Sequence, residues 1–115
     1  MNTLKEIKKI VKENGGVTLD SNRDIVSFNK GYIVSTKDNN FNTTNLRNIT
    51  AKKLQEYCEK AKKMGGVLGI YTRQDKSYDI DINKNFDNLQ QALKFGIENN
   101  QEAIYDSAKQ DVIFC

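Results

Sequence analysis

Between Ser77 and Asn83 the chain alternates without interruption, with Tyr78, Ile80 and Ile82 on one parity and Asp79 and Asp81 on the other. Successive side chains of a β-strand point to opposite faces, so this stretch is a strand with one face in a core and one in water. Such a strand belongs to an antiparallel sheet covered on one side. The rest of the chain must therefore supply partner strands and an apolar cover for the isoleucines. Val67–Thr72, just upstream, is the first partner, joined through the polar hairpin loop Arg73-Gln74-Asp75-Lys76. Gly69 within it predicts a bulge or the close approach of a helix.

Three helices are legible as the cover. Thr3-Leu4-Lys5-Glu6 is a capping box, in which the Thr3 hydroxyl accepts from the Glu6 amide and the Glu6 carboxylate reaches back. Leu4, Ile7, Ile10 and Val11 follow on one stripe and Gly15 supplies a left-handed stop, so a first helix spans 3–14. Thr50 caps a second over 51–64, with Leu54, Tyr57, Cys58, Ala61 and Met64 as its apolar stripe, stopped by Gly65-Gly66. Asp87-Asn88-Leu89-Gln90 reads as another capping box. The third helix carries Phe86, Leu89, Leu93, Gly96 and Ile97 on one side and ends near Asn99.

The remaining strands fall at Gly16–Asp20, Gly31–Thr36, Ala103–Tyr105 and Val112–Phe114, with Ile25–Phe28 as a brief addition. Residues 37–48 are polar and Asn-rich, which predicts a surface loop in which Phe41 is either a tether to the core, the preferred reading, or an exposed anchor. The order is helix–strand–strand, three times over. No strand pair leaves room for a crossover helix inside it, so each pair is expected to be a hairpin. The expectation is one α+β domain over 1–115: an antiparallel sheet of five to six strands with three helices on one face.

The 115 residues include no His, Trp or Pro, and the absence of His removes the commonest general base and metal ligand. Cys58 and Cys115 are far apart and of unlike context, and are expected to be reduced thiols of a cytosolic protein. Cys58 has no His to activate it, and Ser35 and Ser107 have no base. The two Gly-Gly pairs follow helices and precede strands, the reverse of a phosphate loop. Asp79-x-Asp81, with Asp75 nearby, is an oxygen set of the kind Mg²⁺ or Ca²⁺ takes. An alternating strand nevertheless places polar residues outward on its own account, and nothing completes a nuclease-like set, so no metal or cofactor is expected. No apolar run approaches the ~18 residues of a membrane span. The N-terminal lysines alternate with Leu4, Ile7 and Ile10, unlike a secretory signal.

Charge is unevenly placed. Residues 1–64 hold 13 Lys/Arg against 7 Asp/Glu, and residues 65–115 hold 5 against 8. Lys5, Lys8, Lys9 and Lys12 on the first helix, with Lys52, Lys53 and Lys60 on the second, form a candidate nucleic-acid surface. Tyr32, Tyr71, Tyr78 and Tyr105 lie on strands, where an aromatic sheet face can stack single-stranded bases, but the basic–aromatic pattern of an RNA-binding sheet is absent.

Three segments together resemble a known group. They are Gly15-Gly16-Val17-Thr18-Leu19 with Gly31-Tyr32-Ile33-Val34-Ser35; Gly69-Ile70-Tyr71 with Tyr78-Asp79-Ile80-Asp81; and Ala92-Leu93 with Asn100-Gln101-Glu102-Ala103-Ile104-Tyr105-Asp106. In this order they resemble small uncharacterised proteins of phages and mobile elements of Gram-positive bacteria, among whose accessory proteins several are anti-CRISPR proteins. The resemblance implies a non-enzymatic inhibitor in the bacterial cytoplasm that binds a CRISPR effector complex and blocks nucleic-acid binding or cleavage. The contacts expected for it are Asp38, Phe41 and Asn42 in the polar loop and the carboxylate row Asp75, Asp79 and Asp81. A small basic nucleic-acid-binding accessory protein, using the seven lysines above, is the alternative. At the last segment, Asn99 and Asn100 are expected to end the helix in a left-handed turn, and Gln101 and Asp106 to fix the junction between helix and strand.

Overall fold

A computed structural model describes residues 1–115, apart from the side chains of residues 38–40. The elements are α1 (Leu4–Asn14), β1 (Gly16–Leu19), β2 (Tyr32–Thr43), a 3-10 turn (Leu46–Asn48), α2 (Ala51–Lys63), β3 (Val67–Thr72), β4 (Tyr78–Phe86), α3 (Leu89–Glu98), β5 (Ala103–Asp106) and β6 (Asp111–Phe114). The six strands form one antiparallel sheet in the order β1-β3-β4-β2-β5-β6.

The three expected hairpins reduce to two. β3–β4 and β5–β6 pair as neighbours, whereas β1 pairs with β3, and β2 lies between β4 and β5. The cause is the connection 20–31. It does not turn tightly: Val26 N donates to Thr18 O at 2.9 Å and Ile25 forms a lone bridge to Leu19, which holds its first part along β1. That bridge is all that remains of the brief strand expected at Ile25–Phe28. The chain then passes over two strands to begin β2. Consequently β2 and β3 run the same way with β4 between them, and β4 and β5 run the same way with β2 between them. Residues 32–106 thus form a split β-α-β-β-α-β arrangement of ferredoxin-like topology, widened by β1 at one edge and β6 at the other.

Helix entry and exit follow the local chemistry. Both halves of the Thr3/Glu6 capping box form, at 3.2 and 3.1 Å, and the Glu6 carboxyl is held below its ordinary range by those bonds. Gly15 takes φ 82°, a left-handed turn that costs a residue without Cβ nothing. At α3 the cap is Asn88, whose side chain accepts from Gln91 N at 3.0 Å, not Asp87. Of the expected stripe, Gly96 is buried and Phe86 and Leu93 pack against the core, whereas Leu89 and Ile97 are exposed, Ile97 to 63%; Ala92 is buried in addition.

All three helices cover the same side of the sheet. Register places Val17, Leu19, Leu68, Ile70, Ile80 and Ile82 on one face, and these pack with Ile7, Val11, Leu54, Cys58 and Ala61 of α1 and α2. Val34 and Ile104 continue that face beneath α3, against Ala92. The expected loop at 37–48 is mostly strand. β2 runs to Thr43, with Phe41 opposite Ile80, although five residues of β2 against two of β4 lie between that pair and Ser35/Asn83. Its polar composition reflects an irregular pairing in place of a loop. Phe41 does tether, its ring stacking on Tyr57 at 4.7 Å.

Candidate functional site

The opposite face carries no helix, and there the odd-numbered residues of β4 meet a row of polar groups. Register sets Thr18 opposite Gly69, Gly69 opposite Asp81, and Asn83 opposite Ser35. Tyr71 lies back along its own strand, so that a Cβ on Gly69 would overlap its ring. Gly69 therefore accommodates a tyrosine on the open face, not the bulge or helix its position in the strand suggests. The Tyr71 hydroxyl reaches the Thr18 hydroxyl at 3.1 Å, and Ser35 Oγ donates to Asn83 Oδ1 at 2.7 Å. Burial raises the Tyr71 pKa, bonding to Thr18 lowers it, the Asp81 charge raises it, and a bond with Asn83 lowers it. One row, Thr18–Tyr71–Asn83–Ser35, thus crosses β1, β3, β4 and β2.

Asp81 stands beside this row with its Oδ1 buried and without a hydrogen-bond partner. Its pKa is pushed up to about 6, first by burial and then by the neighbouring Asp79 charge, against a smaller opposing pull from Arg73. Asp79 is better served. Arg73 Nη1 donates to both its oxygens at 3.2 and 3.1 Å, and Asn42 Nδ2 donates to Oδ1 at 3.2 Å. Asn42 also bonds Ser77 Oγ at 3.2 Å, and Ser77 donates its amide and hydroxyl to Asp75 at 2.9 and 2.6 Å. Those two bonds hold the Asp75 carboxyl below its ordinary range.

Of the expected contact residues, the structure therefore gathers Asn42, Asp75, Asp79 and Asp81 at one end of the open face. Phe41 is sent to the helix side, and Asp38 lies outside the described side chains. No group of three or more His, Cys, Asp or Glu among the described residues forms a metal site. The lysine set lies on the helix side: Lys5, Lys8, Lys9 and Lys12 line a strip of α1, with Lys9 4.0 Å from Glu13, while Lys52, Lys53 and Lys60 are exposed on α2. Tyr71 and Tyr105 belong to the open face, and Tyr32 and Tyr78 to the helix face.

Two features escaped the sequence reading. One is a groove of about 820 Å³ on the open face, between the segment Ile25–Phe28 and the far strands; its floor includes Thr18, Ser35, Tyr71 and Asn83. The other is an apolar patch on the last two strands, where Tyr105 opposite Val112 and Ala103 opposite Phe114 project from the same side. Val112 is 48% exposed and Phe114 76%. The strict alternation of Ala103, Tyr105 and of Val112, Phe114 was the available signal for the patch. The groove had none, since its floor comes from four strands remote in sequence.

Gln101 does fix the junction between α3 and β5, donating through its side chain to Asn99 O at 3.0 Å. Asp106 does not: it ends β5 and caps the turn into β6, where its Oδ1 accepts from the amides of Ala108 and Lys109 at 3.1 and 3.2 Å. Asn100 takes φ 56°, the left-handed exit expected of it. No helix is long and apolar enough to cross a membrane among the described residues. Comparison with protein-family models, with curated proteins and with solved structures finds no match to this chain.

Proposed function

We propose that this chain is a non-enzymatic binding protein of a phage or mobile element, and that it inhibits a CRISPR effector by docking the helix-free side of its sheet. The observation that carries the binding surface is the exposed patch of Tyr105, Val112 and Phe114, on a face no helix covers. Contiguous apolar surface rimmed by polar groups is the mark of an interaction site. The effector as partner rests on the family resemblance alone. The carboxylates Asp79 and Asp81 on the same face suit a basic nucleic-acid channel, so contact there would block nucleic-acid binding or cleavage.

A panel of CRISPR effectors tests this by co-purification and by protection of target DNA or RNA from cleavage. Association with at least one effector is expected, weakened by Val112→Lys and Phe114→Lys. If no effector associates and none is inhibited, the proposal fails. The strip of four lysines along α1 favours a second reading, an accessory protein that binds nucleic acid. Its affinity would fall steeply with salt, and absence of binding at low salt would reject it. The open sheet face lends that reading no support, because β4 and β2 present Asp81, Asn83 and Ser35 where a base-stacking sheet needs aromatic rings.

A further inference from the structure

The groove on the open face has an unusual lining for so charged a chain. The protein carries 18 Lys/Arg and 15 Asp/Glu, yet among the described residues none that lines the groove is one of them. Ile25, Phe28, Ile33, Tyr105 and Val112 supply apolar walls, and the Thr18–Tyr71–Asn83–Ser35 row supplies the polar floor. Its volume of about 820 Å³ falls within the roughly 300–1,000 Å³ of small-ligand sites, which are mostly apolar with a few convergent polar groups.

We infer that this groove is a binding site for an uncharged aromatic group that carries hydrogen-bonding atoms, such as an amide-bearing ring. A charged ligand would give up hydration there and meet no charged side chain among the described lining residues. A purely apolar ligand would cover the floor groups without satisfying them. The floor has capacity to offer. Thr18 and Tyr71 share one hydrogen bond between two hydroxyls, which leaves one O–H to donate. Ser35 Oγ gives its hydrogen to Asn83 and keeps its lone pairs to accept. The Phe28 and Tyr105 rings among the walls give the body of an aromatic guest surfaces to pack against.

Three probes with one indole ring separate the possibilities: neutral N-acetyltryptophanamide, anionic N-acetyltryptophan and cationic tryptamine. Each is titrated into the full ¹⁵N-labelled chain and followed through amide chemical shifts. The neutral probe is expected to shift Thr18, Ser35, Tyr71, Asn83 and Val112 saturably, and both charged probes to bind there about tenfold more weakly. Val112→Lys, a change at a half-exposed position that the fold tolerates, is expected to weaken the neutral probe and narrow its margin over the anion. No saturable shift in the groove, equal binding of all three probes, or indifference to Val112→Lys would each overturn the inference. No effector takes part in these titrations, so the site and the inhibitor proposal can fail separately.

Discussion

Replacing Asp81 with Asn should make the protein more stable at neutral and alkaline pH and leave it unchanged in acid. The group's pKa rises from 3.8 to about 6 on folding, chiefly by burial. A folded-state pKa above the unfolded one means that the native protein holds its proton more tightly. The associated stability is fully present below about pH 4, is lost as pH rises through the folded pKa, and is gone above about pH 7. A displacement of this size corresponds to about 3 kcal/mol for the ionised group. Part of the side chain still meets water, so the cost is discounted to ~1–2 kcal/mol. Asn has the same shape and never ionises, so Asp81→Asn removes that cost.

Thermal unfolding of wild type and variant at pH 4 and pH 8 measures the effect. The variant should melt about 4–8 °C higher at pH 8, at a few degrees per kcal/mol for a domain of this size. The two should coincide at pH 4. Asp75 provides the opposite sign. Ser77 holds its pKa down, so Asp75→Asn should destabilise at pH 8 with an effect that fades as pH falls through the carboxylate range. Equal melting of wild type and Asp81→Asn at pH 8, or a gap that widens toward pH 4, would refute the account of Asp81 as a carboxylate buried beside a second one.

Gly69→Ala should destabilise by ~1–3 kcal/mol in denaturant titration, because its methyl group must displace the Tyr71 ring; truncating that ring in Gly69→Ala/Tyr71→Ala should remove the clash, so the second change costs less than it does alone. Leu54→Ala, at a fully buried side chain between α2 and the sheet, should cost about 2–5 kcal/mol by the same measurement. Cys58 is buried with its pKa raised by desolvation, whereas Cys115 is exposed, so a thiol reagent should label one cysteine in the native protein and two after unfolding.

What could be read from sequence was whatever depends on neighbours along the chain. The Thr3/Glu6 box, the left-handed exits at Gly15 and Asn100 and the two-faced Tyr78–Asn83 strand are each decided within a few residues, and each stands as expected. The α3 cap shows how narrow that margin is. Asp87 and Asn88 are both good caps, and Asn88 takes the position. Of the expected stripe, Gly96 is buried and Phe86 and Leu93 pack against the core, Leu89 and Ile97 are exposed, and Ala92 is buried in addition. The small residues there matter, because a Cβ on Gly96 would sit 3.1 Å from Ile104. α3 can approach β5 closely for that reason. A larger side chain at position 96 would hold it away.

Strand order depends on which edges meet, and alternation does not record that. Val17 and Leu19 pattern equally well beside Gly31–Thr36 or beside Val67–Thr72, and a twelve-residue connection permits both. The helices settle the matter physically. α1 and α2 occupy one side of the sheet over β1, β3 and β4, so a chain leaving β1 for β2 passes over the other. The segment that makes this crossing is the one whose Ile25–Phe28 walls the groove. Groove and non-hairpin connection are therefore one feature. Had β1 and β2 paired as a hairpin, Tyr71 would have no hydroxyl partner on β1, and no segment would stand over the open face. The polar floor exists because β3 and β4 separate two strands that are consecutive in sequence.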